Sequence, residues 1–321
     1  MKYYFTFVIL LIENLIFSQS YAPAAGIAGS TAIESSSSLF VDWASGCTTA
    51  RGLQNIMDVG GLYTTIGNNE SAIGPADGFP ISLGDRGMAV VTFLNPITNG
   101  DGFDFAVFEN SFSDSFLELA FVEVSSDGIH FFRFPSHSET QMVSQIDGFG
   151  SIDCRFINNL AGKYRVSFGT PFDLSDMPED ILLDKNRITH IKIIDVVGSI
   201  DPDFASYDGF GNIINDPFPT SFPSSGFDLD AVGVIHQTLG LGDLPNKMNA
   251  KLYPIPAKQN VFLELEFAAK LEVYDVTGKK IHNENMLEGV NSIDVSKLKN
   301  GIYFFKLNSD SLTTVLKIVI Q

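Results

Sequence analysis

The feature that most constrains this chain is the way its apolar residues are distributed. From Ala89 to Ile235 they fall in short runs rich in Val, Ile and Phe, each bounded by Gly, Pro, Asn or Asp. The runs are Ala89 to Leu94, Phe103 to Phe108, Leu119 to Ser125, His130 to Phe134, Ile188 to Val197 and Phe227 to Ile235. Little of the chain has the three-to-four-residue periodicity of an amphipathic helix, whereas short runs punctuated by turn residues predict strands. The expected fold is therefore all-β, an antiparallel sandwich. Runs apolar on both faces, such as Phe105-Ala106-Val107-Phe108, suit central strands covered on both sides. The segments Ser136 to Asn159 and Gly198 to Ser225 exceed the usual connection length, which predicts a functional or ligand-organised role.

A second β pattern closes the chain. After a Gly-, Pro- and Asn-containing linker, predicted strands run over Val261 to Phe267, Lys270 to Asp275, Asn291 to Val295, Gly301 to Leu307 and Thr313 to Ile320. Turns are expected at Thr277-Gly278-Lys279 and Lys299-Asn300-Gly301. The predicted organisation is a signal peptide over 1–20, a β-sandwich body over 21–237, a linker over 238–249 and a small β-sandwich over 250–321. The signal reading rests on one Lys, an apolar run from Tyr3 to Ile12 and small residues near a cut after Ser18 or Ser20. A membrane anchor is the competing reading, but Glu13 interrupts the run short of the ~20 apolar residues a spanning helix needs. The mature chain is thus expected to have no transmembrane span. Export would expose Cys47 and Cys154 to an oxidising compartment, where they either pair as a disulfide or stay as two buried thiols.

Charge divides along the same boundary. Residues 19–247 hold 29 acids and 10 bases, whereas residues 248–321 hold 8 acids and 9 bases. With 45% hydrophobic residues the chain has ample material for a core, so the acidity does not signal disorder. A net charge of -18 disfavours nucleic acid and anionic membrane, whose phosphates require Lys and Arg. Of the 29 body acids 22 are Asp, a bias that suits both turns and cation ligation by hard oxygens. Calcium is the cofactor expected from two groups. One is the loop set Asp201, Asp203, Asp208, Asn212 and Asp216; the other is Asp228 and Asp230 meeting Asp104 or Glu109 across neighbouring strands. Solvated loops and turn-capping acids are the alternative reading of the same residues.

The tail carries specific motifs: Leu252-Tyr253-Pro254-Ile255-Pro256-Ala257, Val273-Tyr274-Asp275-Val276-Thr277-Gly278-Lys279 and Leu298-Lys299-Asn300-Gly301-Ile302-Tyr303-Phe304. In their order and spacing they resemble the C-terminal sorting domain of the bacterial type IX (Por) secretion system. Ile255 stands where that family usually has Asn, and Gln321 where it usually ends on a basic residue. The resemblance implies recognition by the type IX machinery and a sorting peptidase, through Tyr253, Pro254, Pro256, Gly278, Lys279, Asn300, Gly301 and Tyr303. It also implies a protein secreted to, or held on, the outer-membrane surface of a Gram-negative cell. In the body, Phe121 to Phe131, with the turn pair Asp127-Gly128, resembles galactose-binding-like jelly rolls. Asp104 to Asn110, Gly169 to Leu174 and Gly226 to Gly233 resemble an uncharacterised family of secreted bacterial surface proteins.

Motifs of catalysis are missing from the sequence: no Gly-x-Ser-x-Gly elbow, no His-Glu-x-x-His and no phosphate-binding glycine loop occurs. The expected function is non-catalytic binding, with surface glycans as ligand and Trp43, Tyr207, Phe210, Phe218 and Phe222 as a stacking platform. A structural or adhesive coat component is the second reading and a secreted glycan hydrolase the third, since glycoside hydrolysis needs only two suitably spaced acids.

Overall fold

The computed structural model of the chain describes residues 21–238, 250–309 and 312–321. The predicted signal peptide, and all of the predicted linker except Thr238, lie outside the described residues. Thirteen strands form the body. In chain order they are β1 Ile33–Glu34, β2 Asp42–Trp43, β3 Gly46–Ala50, β4 Ile81–Ser82, β5 Met88–Ile97, β6 Phe105–Glu109 and β7 Ala120–Ser125. There follow β8 Phe132–Arg133, β9 His137–Ser138, β10 Ile157–Asn158, β11 Phe168–Phe172, β12 Ile188–Asp195 and β13 Asp228–Val234. Among the described residues the helical elements are three short 3₁₀ turns, at Asn69–Ala72, Cys154–Phe156 and Leu174–Asp176.

The strands pair antiparallel into two main sheets, β1-β11-β6-β13-β2 and β3-β5-β12-β7-β8, with β4 pairing the start of β13. Alternation sets which side chains face inward. Phe105, Val107, Phe172, Leu229 and Val232 from the first sheet share a core with Val91, Val122, Val124, Ile191 and Ile193 from the second. Phe105 and Phe172 stack at 5.3 Å, with Phe134 edge-on to both; each buried phenyl contributes about 1.5–3 kcal/mol. On the other face of β6 and β13, Ala106, Phe108 and Ala231 are covered by Phe40 and Trp43. That second cover explains why these strands are apolar on both sides.

The two long loops build a further apolar cluster. Ile152, Cys154 and Ile157 from one, and Ile214 from the other, pack with Leu117, Leu119, Phe121 and Val196. One expectation needs correction here, and one pair of alternatives is resolved. The predicted strand His130 to Phe134 shrinks to β8, because Asp127 Oδ1 accepts hydrogen bonds from Ile129 N and His130 N and bends the chain there. Cys47 and Cys154 are free thiols: Cys47 on β3 packs against the inter-sheet core, whereas Cys154 belongs to the loop cluster.

The tail has its own core, centred on Val261, Leu263, Leu271, Val273, Phe305, Leu307 and Ile318. Its strands are β14 Ala250–Tyr253, β15 Asn260–Leu265, β16 Ala269–Asp275, β17 Lys280–Met286, β18 Gly289–Asp294, β19 Gly301–Ser309 and β20 Leu312–Ile320. They form two antiparallel sheets, β14-β15-β18 and β17-β16-β19-β20. The sequence misses β17, whose residues are almost all exposed, so that it carries little apolar alternation.

Candidate functional site

The Asp-rich loop from Asp201 to Asp216 uses its acids largely on its own backbone. Asp201 Oδ1 accepts from Asp203 N at 3.1 Å, and both residues are solvent-exposed. Asp208 accepts from Phe210 N and Asn212 N on one oxygen, and from Ser138 N and the Asn212 side chain on the other. Asp216 points away into the body, where its Oδ2 accepts from Leu119 N at 3.1 Å. The expected five-residue loop set is therefore dispersed by hydrogen bonding that shapes the loop.

The second expected group divides. Asp104 lies just before β6, at the opposite end from Glu109, and takes hydrogen bonds from Gly100 N and Leu174 N while facing His236 Nδ1 at 2.9 Å. Asp230 sits in a β-bulge: Leu229 pairs with Glu109 but Ala231 pairs with Phe108, and the displaced Asp230 caps Asp77 N and Gly78 N. Asp228 and Glu109 do meet, and Glu118 joins them. One ligand oxygen from each lies within 4.8 Å of the others, and all three residues are buried. Among the described residues this is the one group of three or more His, Cys, Asp or Glu side chains at metal-binding spacing.

Each member is placed by a separate element. Glu109 ends β6, Asp228 opens β13, and Glu118 lies two residues before β7. Ser111 N donates to Glu109 Oε2 at 2.8 Å, and Ser82 Oγ donates to Asp228 Oδ1. Asn110 brings its amide group beside Asp228 Oδ2 and Glu109 Oε1, and with the nitrogen assigned to that side it donates to both at 3.2 Å. Burial is the largest cause of the upward pKa shift of all three carboxyls. Glu109 is raised further by Asp228, and Glu118 by both Glu109 and Asp228. Asp228 is pushed up to about 7 by burial, against the opposing Ser82 hydroxyl and the Arg51 charge. Sequence reading missed Glu118; its signal was a single charge inside the apolar run Phe116 to Val122.

The expected aromatic platform is not a single surface. Trp43 is half-buried against Phe40 and Phe108, at 4.9 and 5.4 Å, and Phe218 is buried, so both belong to the packing. Tyr207 and Phe210 lie exposed on the Asp-rich loop, where Phe210 stands edge-on to His137. Phe222 belongs to a different group, a row of rings in the order Phe112, Phe116, Phe149, Phe222 with centroid separations of 4.6, 6.2 and 5.5 Å. Phe112 and Phe149 are 71% and 69% exposed.

In the tail, Gly278 takes φ +80° in the turn after β16, where Asp275 accepts from Thr277 N and Lys279 N. Tyr253, followed by Pro254, packs against Phe262, and Pro256 follows two residues on, before buried Ala257. Asn300 lies in the bend just before β19, which Gly301 opens, and Tyr303 OH donates to Lys299 O at 2.8 Å across that turn.

Fold and tail together define a class: an all-β body followed by a compact β-sandwich export domain. Residues 251–321 match the family described as the secretion system C-terminal sorting domain, which bears out the resemblance of the tail. A tail of this family is the mark of a secreted or cell-surface protein. No helix among the described residues is long and apolar enough to cross a membrane. No curated protein matches the chain in sequence.

Among solved structures, latent PorU from Porphyromonas gingivalis aligns at 15% identity over 73% of this chain and 18% of its own, with a TM-score of 0.19. A β-glucuronidase from Ruminococcus gnavus aligns at 10% identity over 75% of this chain and 39% of its own, TM-score 0.18. The BSP domain of a biofilm-associated protein aligns at 12% over 88% and 52%, TM-score 0.20. The chain spans less than two thirds of each of these structures, and at such TM-scores the likeness carries no argument about function.

Proposed function

We propose that the body is a non-catalytic binding module delivered by its tail to the outer surface of a Gram-negative cell, and that its ligand is a surface glycan. The observation that supports this reading is the solvent-facing row of Phe112, Phe116, Phe149 and Phe222. Exposed aromatic rings on a rigid β scaffold offer apolar faces and edges to the C–H surfaces of sugar rings, and loops positioned by such a scaffold commonly carry binding function. In this reading the tail is removed by the sorting peptidase after transport and the acidic body is the working part.

A glycan array probed with the full chain tests this. Binding that is lost in Phe149→Ala and Phe222→Ala and kept in Tyr207→Ala supports the phenyl row as the platform. Retention by glycans of all three variants places the ligand elsewhere. Absence of any glycan binding favours a structural or adhesive coat protein, and hydrolysis of an offered polysaccharide favours an enzyme.

A further inference from the structure

We propose that Glu109, Glu118 and Asp228 form a binding site for one divalent cation of hard-oxygen preference, with calcium as the principal ion. The site is separate from the phenyl row and does not depend on the ligand assigned to it. Three carboxylates from three different elements converge with an oxygen of each inside 4.8 Å, a spacing that one cation can bridge. Convergence of acids alone would be weak, but Glu118 adds an independent observation. It is 9% exposed, its side chain is directed into the group, and it accepts no hydrogen bond from any described residue. A carboxylate on a residue this largely buried, with no protein donor beside it, is costly unless it is protonated, reached by water or neutralised by a cation.

The surroundings supply little positive charge. None of the three carboxylates is ion-paired among the described residues, and Arg51, the basic side chain acting on Asp228, spends its guanidinium on the carbonyls of Ile66, Gly67 and Ser82. Three carboxylates held this close in a buried site repel one another when ionised, and a bound cation would offset that repulsion. Asn110 can adapt to either condition. With its amide nitrogen inward it donates to Asp228 and Glu109; with its carbonyl oxygen inward it supplies a fourth oxygen at the same position.

The site also has a mechanical consequence. Glu109 and Glu118 stand at the two ends of the loop 110–117 that joins β6 to β7, and Asp228 fixes both to β13. That loop carries Phe112 and Phe116, half of the phenyl row. One cation would therefore close the base of the loop and hold those two rings in place.

Calorimetric titration of calcium into the chelator-treated full chain, paired with thermal melts, tests the proposal. The expected result is one ion per chain, with Kd in the range of about 10⁻⁴–10⁻³ M common for extracellular modules, and a raised Tm. Glu118→Gln keeps the side-chain shape and removes one repelling charge, so it should melt no lower than wild type without calcium. It should lose the calcium-dependent rise in Tm and weaken binding at least tenfold. Asp203→Asn, on the exposed loop, should respond to calcium as wild type does. No heat and no Tm shift in wild type overturns the site, as does a calcium response that survives Glu118→Gln; loss of the response in Asp203→Asn transfers the ion to the Asp-rich loop.

Discussion

Asp195 Oδ1 accepts a 2.7 Å hydrogen bond from the backbone of Phe227, joining the end of β12 in one sheet to the entry into β13 in the other. The second oxygen of Asp195 accepts from Arg86 N at 3.0 Å, ahead of β5. One buried carboxyl thereby holds three chain segments at one end of the sandwich. Asp195→Ala leaves the buried Phe227 N without a partner, whereas Arg86 is exposed and its N–H can turn to water; at about 1–3 kcal/mol for the one buried unsatisfied group the body should lose several degrees in Tm. Denaturant unfolding of wild type and variant measures the difference; an unchanged midpoint would contradict the link.

A neighbouring contact is steric. A β-carbon at Gly198 would overlap Asp216 Oδ1, and Asp216 in turn anchors Leu119 N at the entry to β7. Gly198→Ala must displace either the carboxyl or the loop that follows. The expected outcome is a lowered Tm and faster proteolysis within residues 198–225, read by limited digestion and mass spectrometry.

The buried carboxyls give the cation-free protein an acid-favoured stability. Burial pushes Asp228 up to about 7 and Asp85 up to about 6, whereas in the unfolded chain both return to about 3.9. Between these values the folded state binds more protons than the unfolded state, so stability falls as pH rises through that window. In chelator, the contribution of Asp228 is fully present below pH ~4 and is lost as pH passes ~7. Thermal melts across this range should show Tm decreasing with pH, with a shallower slope in Asp228→Asn; equal slopes would disprove the assignment to Asp228.

Free thiols follow from the separate environments of the two cysteines. Burial pushes the Cys47 thiol up to about 11 and raises Cys154 as well, so neither is a ready nucleophile at neutral pH. A thiol reagent should react slowly with the native protein and titrate two groups after denaturation without reductant. A reading of zero under those conditions would mean that the cysteines are paired.

Export should depend on the tail and on its turn. Deleting residues 250–321 is expected to leave the body in the periplasm of a host with the type IX system. Tyr303→Phe removes only the 2.8 Å bond to Lys299 O and should lower tail stability by about 1 kcal/mol. Cell fractionation decides the first outcome; surface appearance of the truncated chain would exclude this route.

Strands β5, β6, β7, β12 and β13 were legible in the sequence because each has enough apolar residues to declare a half-buried or fully buried run. The two-residue strands β1, β2 and β4 were not, since they are strands only by virtue of the partners the fold brings beside them. The same division applies to the site. The residue types were visible, and the meeting of Glu109 with Asp228 was anticipated from adjacent strands. The bulge that turns Asp230 away, and the loop return that delivers Glu118, depend on long-range pairing and on no local pattern.

Sequence alone determined the β architecture, the boundary between an acidic body and a neutral tail, and the sorting motifs, because turn chemistry, alternation and charge are local properties of the chain. Only the tertiary structure decided which of 29 body acids converge, which spend their oxygens on the backbone, and which aromatic rings face water. Those outcomes rest on contacts between residues far apart in the chain, where a single register shift or loop return determines whether a carboxylate caps a turn or joins a buried group.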